Sequence, residues 1–233
     1  MVVQRGMIEV CNVSKSFGGK PVLCEATLSI EKGKIVGLYG KSGIGKSTLA
    51  KILCGVLRPD TGSVYLDGKL LCSNTASYDR RAGLRIQMVY QQPYSSLDPS
   101  QRIYNGFSEL IRYHRLCNGK AQTDELIYGL IESVGLERDI LSHLPHQISG
   151  GEAQRIAIAR CLLFKPSLLI LDEATSMLDV STQANVIAII KRMTAEYEGS
   201  VLMISHDEEL INYLCDQIYE FDDNHNLKER KTG

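Results

Sequence analysis

"GKSGIGKST", Gly40 to Thr48, lies between "KIVGLY" (34–39) and "LAKILCGVL" (49–57). The first flank is an apolar run that reads as a buried strand, and the second has helical spacing. Between them, three glycines, two lysines and three hydroxyl residues fall within nine positions. The stretch fits G-x-x-x-x-G-K-[ST] with Gly40, Gly45, Lys46 and Ser47 at the fixed places. Phosphate oxygens need several donors converging on one point. Backbone N–H groups converge only where the loop turns tightly, which calls on glycine's freedom at positive φ. The following helix aims its positive dipole end at the same anion. Lys46 is expected to reach the β- and γ-phosphates of a nucleotide and Ser47 to ligate Mg²⁺. Lys41, Ser42, Gly43 and Thr48 complete the nucleotide-binding stretch.

A second acidic feature pairs with this loop. "LLILDEAT" (168–175) ends an apolar strand with Asp172 and Glu173. The carboxyl ends of parallel strands line one ligand crevice. Asp172 is placed to hold the Mg²⁺ shell through water, and Glu173, one residue on, to polarise an attacking water. The pair alone is weak evidence, because acidic residues favour helix N-termini anyway. It gains force from the loop upstream.

The rest of the chain sorts into strand-rich and helical parts. "MIEVCNV" (7–13), "VLCEATLSI" (22–30), "SVYLDGKLL" (63–71) and "RIQMVY" (85–90) read as strands, with Asp67-Gly68 a hairpin signal. "QPYSSLDPSQ" (92–101) is a loop punctuated by Pro93 and Pro99. Ile127, Leu130, Ile131 and Val134 mark a helix with Thr123 as its expected N-cap, and "GEAQRIAIARCLLF" (151–164) reads as another. "STQANVIAIIKRM" (181–193) places Val186, Ile189, Ile190 and Met193 on one helical face. "GSVLMISH" (199–206) follows as a strand, then a short helix from Leu210 to Leu214. Strands alternating with helices imply a parallel sheet. "DDNHNLKERKTG" (222–233) reads as a polar, frayed tail.

The bulk numbers exclude several classes. A chain of 233 residues suits one sizeable domain, or one with an inserted subdomain. A net charge of −1 argues against a nucleic-acid binder. No apolar run approaches the roughly 18 residues of a membrane span, and the N-terminus lacks the apolar core of a secretory signal. The seven cysteines include no C-x-x-C pair and read as scattered buried thiols.

At "ISGGEAQRIAIAR" (148–160) the chain resembles the LSGGQ signature of ATP-binding cassette (ABC) ATPases. The resemblance covers nearly the whole chain. It implies adenine stacking by Phe17 in "VSKSFGG", a Q-loop glutamine at Gln91 that helps arrange Mg²⁺ and the attacking water, a D-loop "SMLD" ending at Asp179, and a switch histidine at His206 that contacts the γ-phosphate. Ser149, Gly150 and Gly151 are then a second anion cradle for ATP held by a partner chain. Departures are modest: Ile148 for the usual Leu, Glu152 for Gln, Phe17 for Tyr, and a bulkier Met177 near the D-loop.

The resemblance implies an α/β fold of the P-loop NTPase type: a mostly parallel core sheet, an antiparallel side sheet and a helical subdomain at 92–160 inserted between core segments 1–91 and 161–221. It implies an ATPase that powers a membrane transporter. The expected partners are a second ABC ATPase subunit (a copy or a sister chain), permease subunits and an extracytoplasmic solute-binding protein, with attachment at the cytoplasmic face of the membrane. "QMVYQQPYSSLDPSQ" (87–101) resembles the peptide and nickel importer branch. The alternatives are a soluble ABC ATPase of translation or DNA repair, and a catalytically dead module; Glu173 and His206 argue against the latter.

Overall fold

The computed structural model describes residues 7–174, 180–197 and 199–230. Its centre is a six-stranded sheet in the order β10-β9-β3-β8-β7-β6. Strands β3 (Ile35–Tyr39), β6 (Ile86–Val89), β7 (Leu168–Asp172), β8 (Ser200–Ile204) and β9 (Gln217–Phe221) run parallel, and β10 (Leu227–Arg230) closes one edge antiparallel. Every residue of β7 and β8 is buried, which explains their unbroken apolar runs: a central parallel strand is covered on both faces.

A four-stranded antiparallel sheet lies on one side, ordered β2-β1-β4-β5. It comprises β1 (Ile8–Phe17), β2 (Lys20–Ile30), β4 (Thr61–Leu66) and β5 (Lys69–Ser73). Asp67 and Gly68 both take positive φ, 50° and 73°, as a two-residue hairpin turn of matching twist requires. Gly18 and Gly19 do the same between β1 and β2.

Alternation along the strands divides the core. Leu168, Ile170, Leu202 and Ile204 face one way, into a cluster with Leu49, Ile52 and Leu53 of α1 (Lys46–Leu53) and Val10, Leu28 and Val64 of the side sheet. Leu169, Leu171, Val201 and Met203 face the other way. There they meet α3 (Ile103–His114), α4 (Lys120–Ser133), α5 (Gly150–Leu162), α6 (Val180–Tyr197) and α7 (Glu208–Leu214). Phe107, fully buried on α3, anchors that second cluster, and truncating it to Ala would cost about 3–5 kcal/mol. Between β6 and β7 the chain is entirely helical or irregular, and α5 runs through the cut expected at residue 160.

Two local expectations need correction, and one short helix is new. The helix expected to start after Thr123 starts at Lys120, capped by Gly119; the Thr123 hydroxyl instead donates to the Gly119 carbonyl at 3.0 Å. A short helix α2 (Arg80–Gly83) stands before β6, its N-terminus satisfied by the Asp79 carboxylate. The tail from Asp222 is not frayed through Arg230, because Leu227–Arg230 pair with Ile218–Phe221. Its polarity suits an edge strand with one wet face. On α6, Val186, Ile189 and Ile190 are buried as expected, while the Met193 side chain lies outside the described residues.

Candidate functional site

Strand register builds the site. Val89 pairs with Leu171, Asp172 with Ile204, and Leu38 with Ile204, so the carboxyl ends of β6, β7, β8 and β3 lie in one row. The residues that follow each end are Gln91, Glu173, His206 and the loop from Gly40. The β-strands thereby deliver four chemically distinct groups to one crevice. A cleft of ≈ 210 Å³ there is lined by Ser42, Gly43, Gly45, Lys46, Ser47, Thr48, Gln91, Asp172 and Glu173.

Lys46 opens α1 and is buried. Its ammonium donates to the carbonyls of Gly40 at 2.6 Å and Lys41 at 3.0 Å. Burial pushes its pKa below the usual lysine value, and Glu173 and Asp172 pull it back. Gly45 takes φ 127°, and a Cβ there would lie 2.5 Å from the Val22 carbonyl oxygen. The β2 strand thus presses against the loop, and only glycine fits the contact.

The Ser47 hydroxyl donates to Asp172 Oδ1 at 3.1 Å. Burial lifts the Asp172 pKa; the Ser47 bond opposes that shift, Glu173 adds to it and Lys46 opposes it. Glu173 stands at φ 51°, rare for a side-chain-bearing residue, and its N–H donates to the Ile204 carbonyl at 2.9 Å. The Gln91 amide donates to Glu173 Oε2 at 3.2 Å, and His206 Nδ1 lies 3.8 Å from Glu173 Oε1. All three expected catalytic groups therefore meet at one carboxylate. The oxygen donors Ser47, Asp172 and Gln91 form a hard set that suits a small divalent cation sharing its shell with water and phosphate.

Other expected site residues stand apart from the cleft. Phe17 ends β1, is 46 % exposed, and has the Lys15 ammonium 5.6 Å from its ring centroid. Lys41 is exposed and paired with Asp223 at 2.6 Å. Ser149 caps α5, with Gly150 and Gly151 as its first residues. Its hydroxyl accepts from the Glu152 N–H at 3.3 Å, while Glu152 Oε2 accepts from the Ser149 N–H and hydroxyl, both at 2.7 Å. Asp179 and the whole of "SMLD" lie outside the described residues. Sequence reasoning missed the turn 222–226 beside the phosphate loop; the Asp222, Asn224, Asn226 spacing was its one available sign. A larger groove of ≈ 410 Å³ between α4, α5 and α6, lined by Leu126, Leu130, Leu162 and Arg192 among others, contains none of the expected site residues.

Comparison with known proteins fits this geometry. The ABC transporter family profile matches residues 23–176. The chain is 33 % identical over 220 residues to the oligopeptide transport ATP-binding protein OppF of Streptococcus mutans, covering 92 % of this chain and 71 % of that one. It is 36 % identical over 217 residues to the putative oligopeptide transport ATP-binding protein YkfD of Bacillus subtilis, covering 91 % and 66 %. It is 34 % identical over 221 residues to the nickel import ATP-binding protein NikE of Escherichia coli, covering 93 % and 82 %. A solved dimer of the ATP-binding cassette MJ0796, bound to ADP and Pi, superposes with a TM-score of 0.83 at 26 % identity, covering 97 % of this chain and 99 % of that one. The chain belongs to the ABC transporter family and is an ATPase cassette of its importer branch.

Proposed function

We propose that this cassette binds and hydrolyses ATP with Mg²⁺ to power a membrane importer of peptides, nickel or similar small solutes. The observation that carries the reading is the meeting of Gln91 and His206 at Glu173, beside Lys46 and the Ser47–Asp172 pair. ATP with Mg²⁺ supplies the phosphoanhydride and the charge neutralisation that make its terminal phosphoryl group transferable. Lys46 neutralises phosphate charge, Ser47 and Asp172 hold the cation shell, Glu173 polarises the attacking water, Gln91 fixes the Glu173 carboxylate, and His206 contacts the γ-phosphate. Positioning and charge stabilisation account for most of such catalysis.

Ser149, Gly150 and Gly151 do not line the cleft of their own chain, which supports a head-to-tail pairing in which they close the partner's ATP site. Either a second copy or a sister ATPase satisfies that pairing. Among the described residues, no helix is long and apolar enough to cross a membrane. Attachment at the cytoplasmic face would come through permease subunits, with a solute-binding protein completing the importer. A groove of ≈ 440 Å³ lined by Tyr78, Arg80, Leu84 and Gln87 flanks the strand that leads to Gln91 and suits docking of a short permease helix. The loop Gln92–Gln101 is the other candidate contact for that helix: Tyr94 is 43 % exposed although its hydroxyl is engaged, while Leu97 packs on the helical core.

The Glu173→Gln variant tests the reading. ATP affinity should persist, turnover should fall at least a hundredfold, and light scattering should show a dimer only with ATP. Normal turnover in that variant would refute the assignment. Co-purification with permease subunits, and uptake of candidate solutes by the reconstituted complex, tests the importer role.

A further inference from the structure

The turn joining β9 to β10 makes contacts that neither the cassette reading nor its motifs require. The Asp222 carboxylate accepts from the N–H groups of Asn224 and Asn226, both at 3.0 Å, and from the Lys228 ammonium at 2.9 Å. The Asp222 N–H donates to the Asn226 carbonyl and the His225 N–H to the Asp222 carbonyl, both at 3.0 Å. This closed turn places His225 at φ 63°. His225 then bridges two elements of the site. Its carbonyl accepts the Cys24 N–H of β2 at 3.1 Å, and its Nδ1 lies 3.0 Å from the Ile44 carbonyl oxygen in the phosphate loop. A carbonyl can only accept, so Nδ1 carries the proton.

We infer that His225 is a positioning residue of the nucleotide site, holding the peptide between Ile44 and Gly45 in the orientation that binds phosphate. In a trans peptide the C=O and the following N–H point in opposite directions. Fixing the Ile44 carbonyl against His225 therefore turns the Gly45 N–H the other way, away from the turn. Gly45 lines the cleft, and its φ of 127° belongs to a region in which glycine peptides rotate at little cost. Without an outside donor, the same peptide can present its carbonyl oxygen to the anion, where it repels. The turn braces neighbouring points as well. Asp223 pairs with Lys41 at 2.6 Å, and Phe221, just before the turn, lies where a Cβ on Gly40 would come within 3.3 Å of it. The clamp thus acts on the start of the loop, at Gly40 and Lys41, and, through His225, on its middle.

The inference rests on residues 40–48 being the nucleotide cradle, and the test separates the two claims. Both Gly and Asn tolerate a φ near +60°, so neither strains the turn at position 225. His225→Gly removes the donor; His225→Asn returns an amide N–H near the position of Nδ1. Mg-ATP binding is read with a fluorescent ATP analogue, ATP turnover gives KM and kcat, and thermal melting reports the fold. The expected result for His225→Gly is roughly a five- to tenfold rise in Kd and KM, the effect of one hydrogen bond, with kcat changed less than twofold. His225→Asn should recover most of the affinity. Unchanged affinity in His225→Gly, or equal losses in both variants in step with their melting temperatures, overturns the inference. Lys46→Ala is measured alongside: if it too binds normally, the cradle reading itself fails.

Discussion

The Tyr94 hydroxyl donates to the Ile148 carbonyl at 2.9 Å, joining the segment just after Gln91 to the residue just before Ser149. The Arg160 guanidinium adds a second tie to the same segment at the Ser96 carbonyl. In the proposed head-to-tail pairing Gln91 would serve one ATP site and Ser149 the other, so the Tyr94 bond would make one stiff body of two parts that work on different nucleotides. Tyr94→Phe removes the bond and keeps the ring. We expect roughly a three- to tenfold lower ATP turnover of the paired form and weaker cooperativity in ATP, the effect of about 1 kcal/mol. ATP titrations of turnover at dimer-forming concentrations check this; an unaltered rate and Hill coefficient would show the tie to be incidental.

Gly45 should tolerate substitution worse than Gly43. An alanine at either position adopts a positive φ, 127° or 78°, at about 1–3 kcal/mol. At Gly43 the added Cβ meets open space, whereas at Gly45 it meets the Val22 carbonyl oxygen at 2.5 Å. Gly45→Ala should lower the melting temperature by several degrees more than Gly43→Ala and abolish ATP binding. Equal melting temperatures would contradict the close approach of β2.

Four cysteines should resist alkylation in the native protein. Burial pushes the thiols of Cys54, Cys161 and Cys215 up to about 12 and that of Cys72 up to about 11. The thiolate is the reactive form, so at pH 8 these four offer almost none. Mass spectrometry after a short iodoacetamide pulse should find them unmodified in buffer and fully modified in denaturant. Rapid native labelling of Cys161 would be incompatible with its place in the core.

Asp222 gives the turn a defined response to acid. The Lys228 ammonium and the turn's N–H groups hold its carboxyl down to about 2, below the ordinary aspartate value of ~3.9. A depressed folded value means that the ionised carboxylate stabilises the native state above pH ~4 and that this contribution fades as pH falls toward 2. Urea midpoints of wild type and Asp222→Asn should differ by a constant amount from pH 6 to 8, begin to converge below about pH 4 and meet only near pH 2. A gap that widens on acidification would reverse the sign and rule out this role.

The chemistry of the site was legible in the sequence because it depends on short local patterns. Glycine spacing at Gly40 and Gly45, the lysine and serine that follow, and the Asp172-Glu173 pair at the end of an apolar run each state a backbone or charge requirement within a few residues. The buried strands β3, β7 and β8 were equally plain, since full burial on both faces demands unbroken apolar runs. Tertiary structure decided what depends on distant partners. Strand order and register brought Gln91 and His206 to Glu173, an arrangement no local pattern encodes. The polar run after Phe221 reads as a tail because an edge strand buries little apolar surface; its pairing with β9 supplies the backbone hydrogen bonds that its side chains cannot announce. Only that pairing brings His225 to a loop 181 residues earlier in the chain.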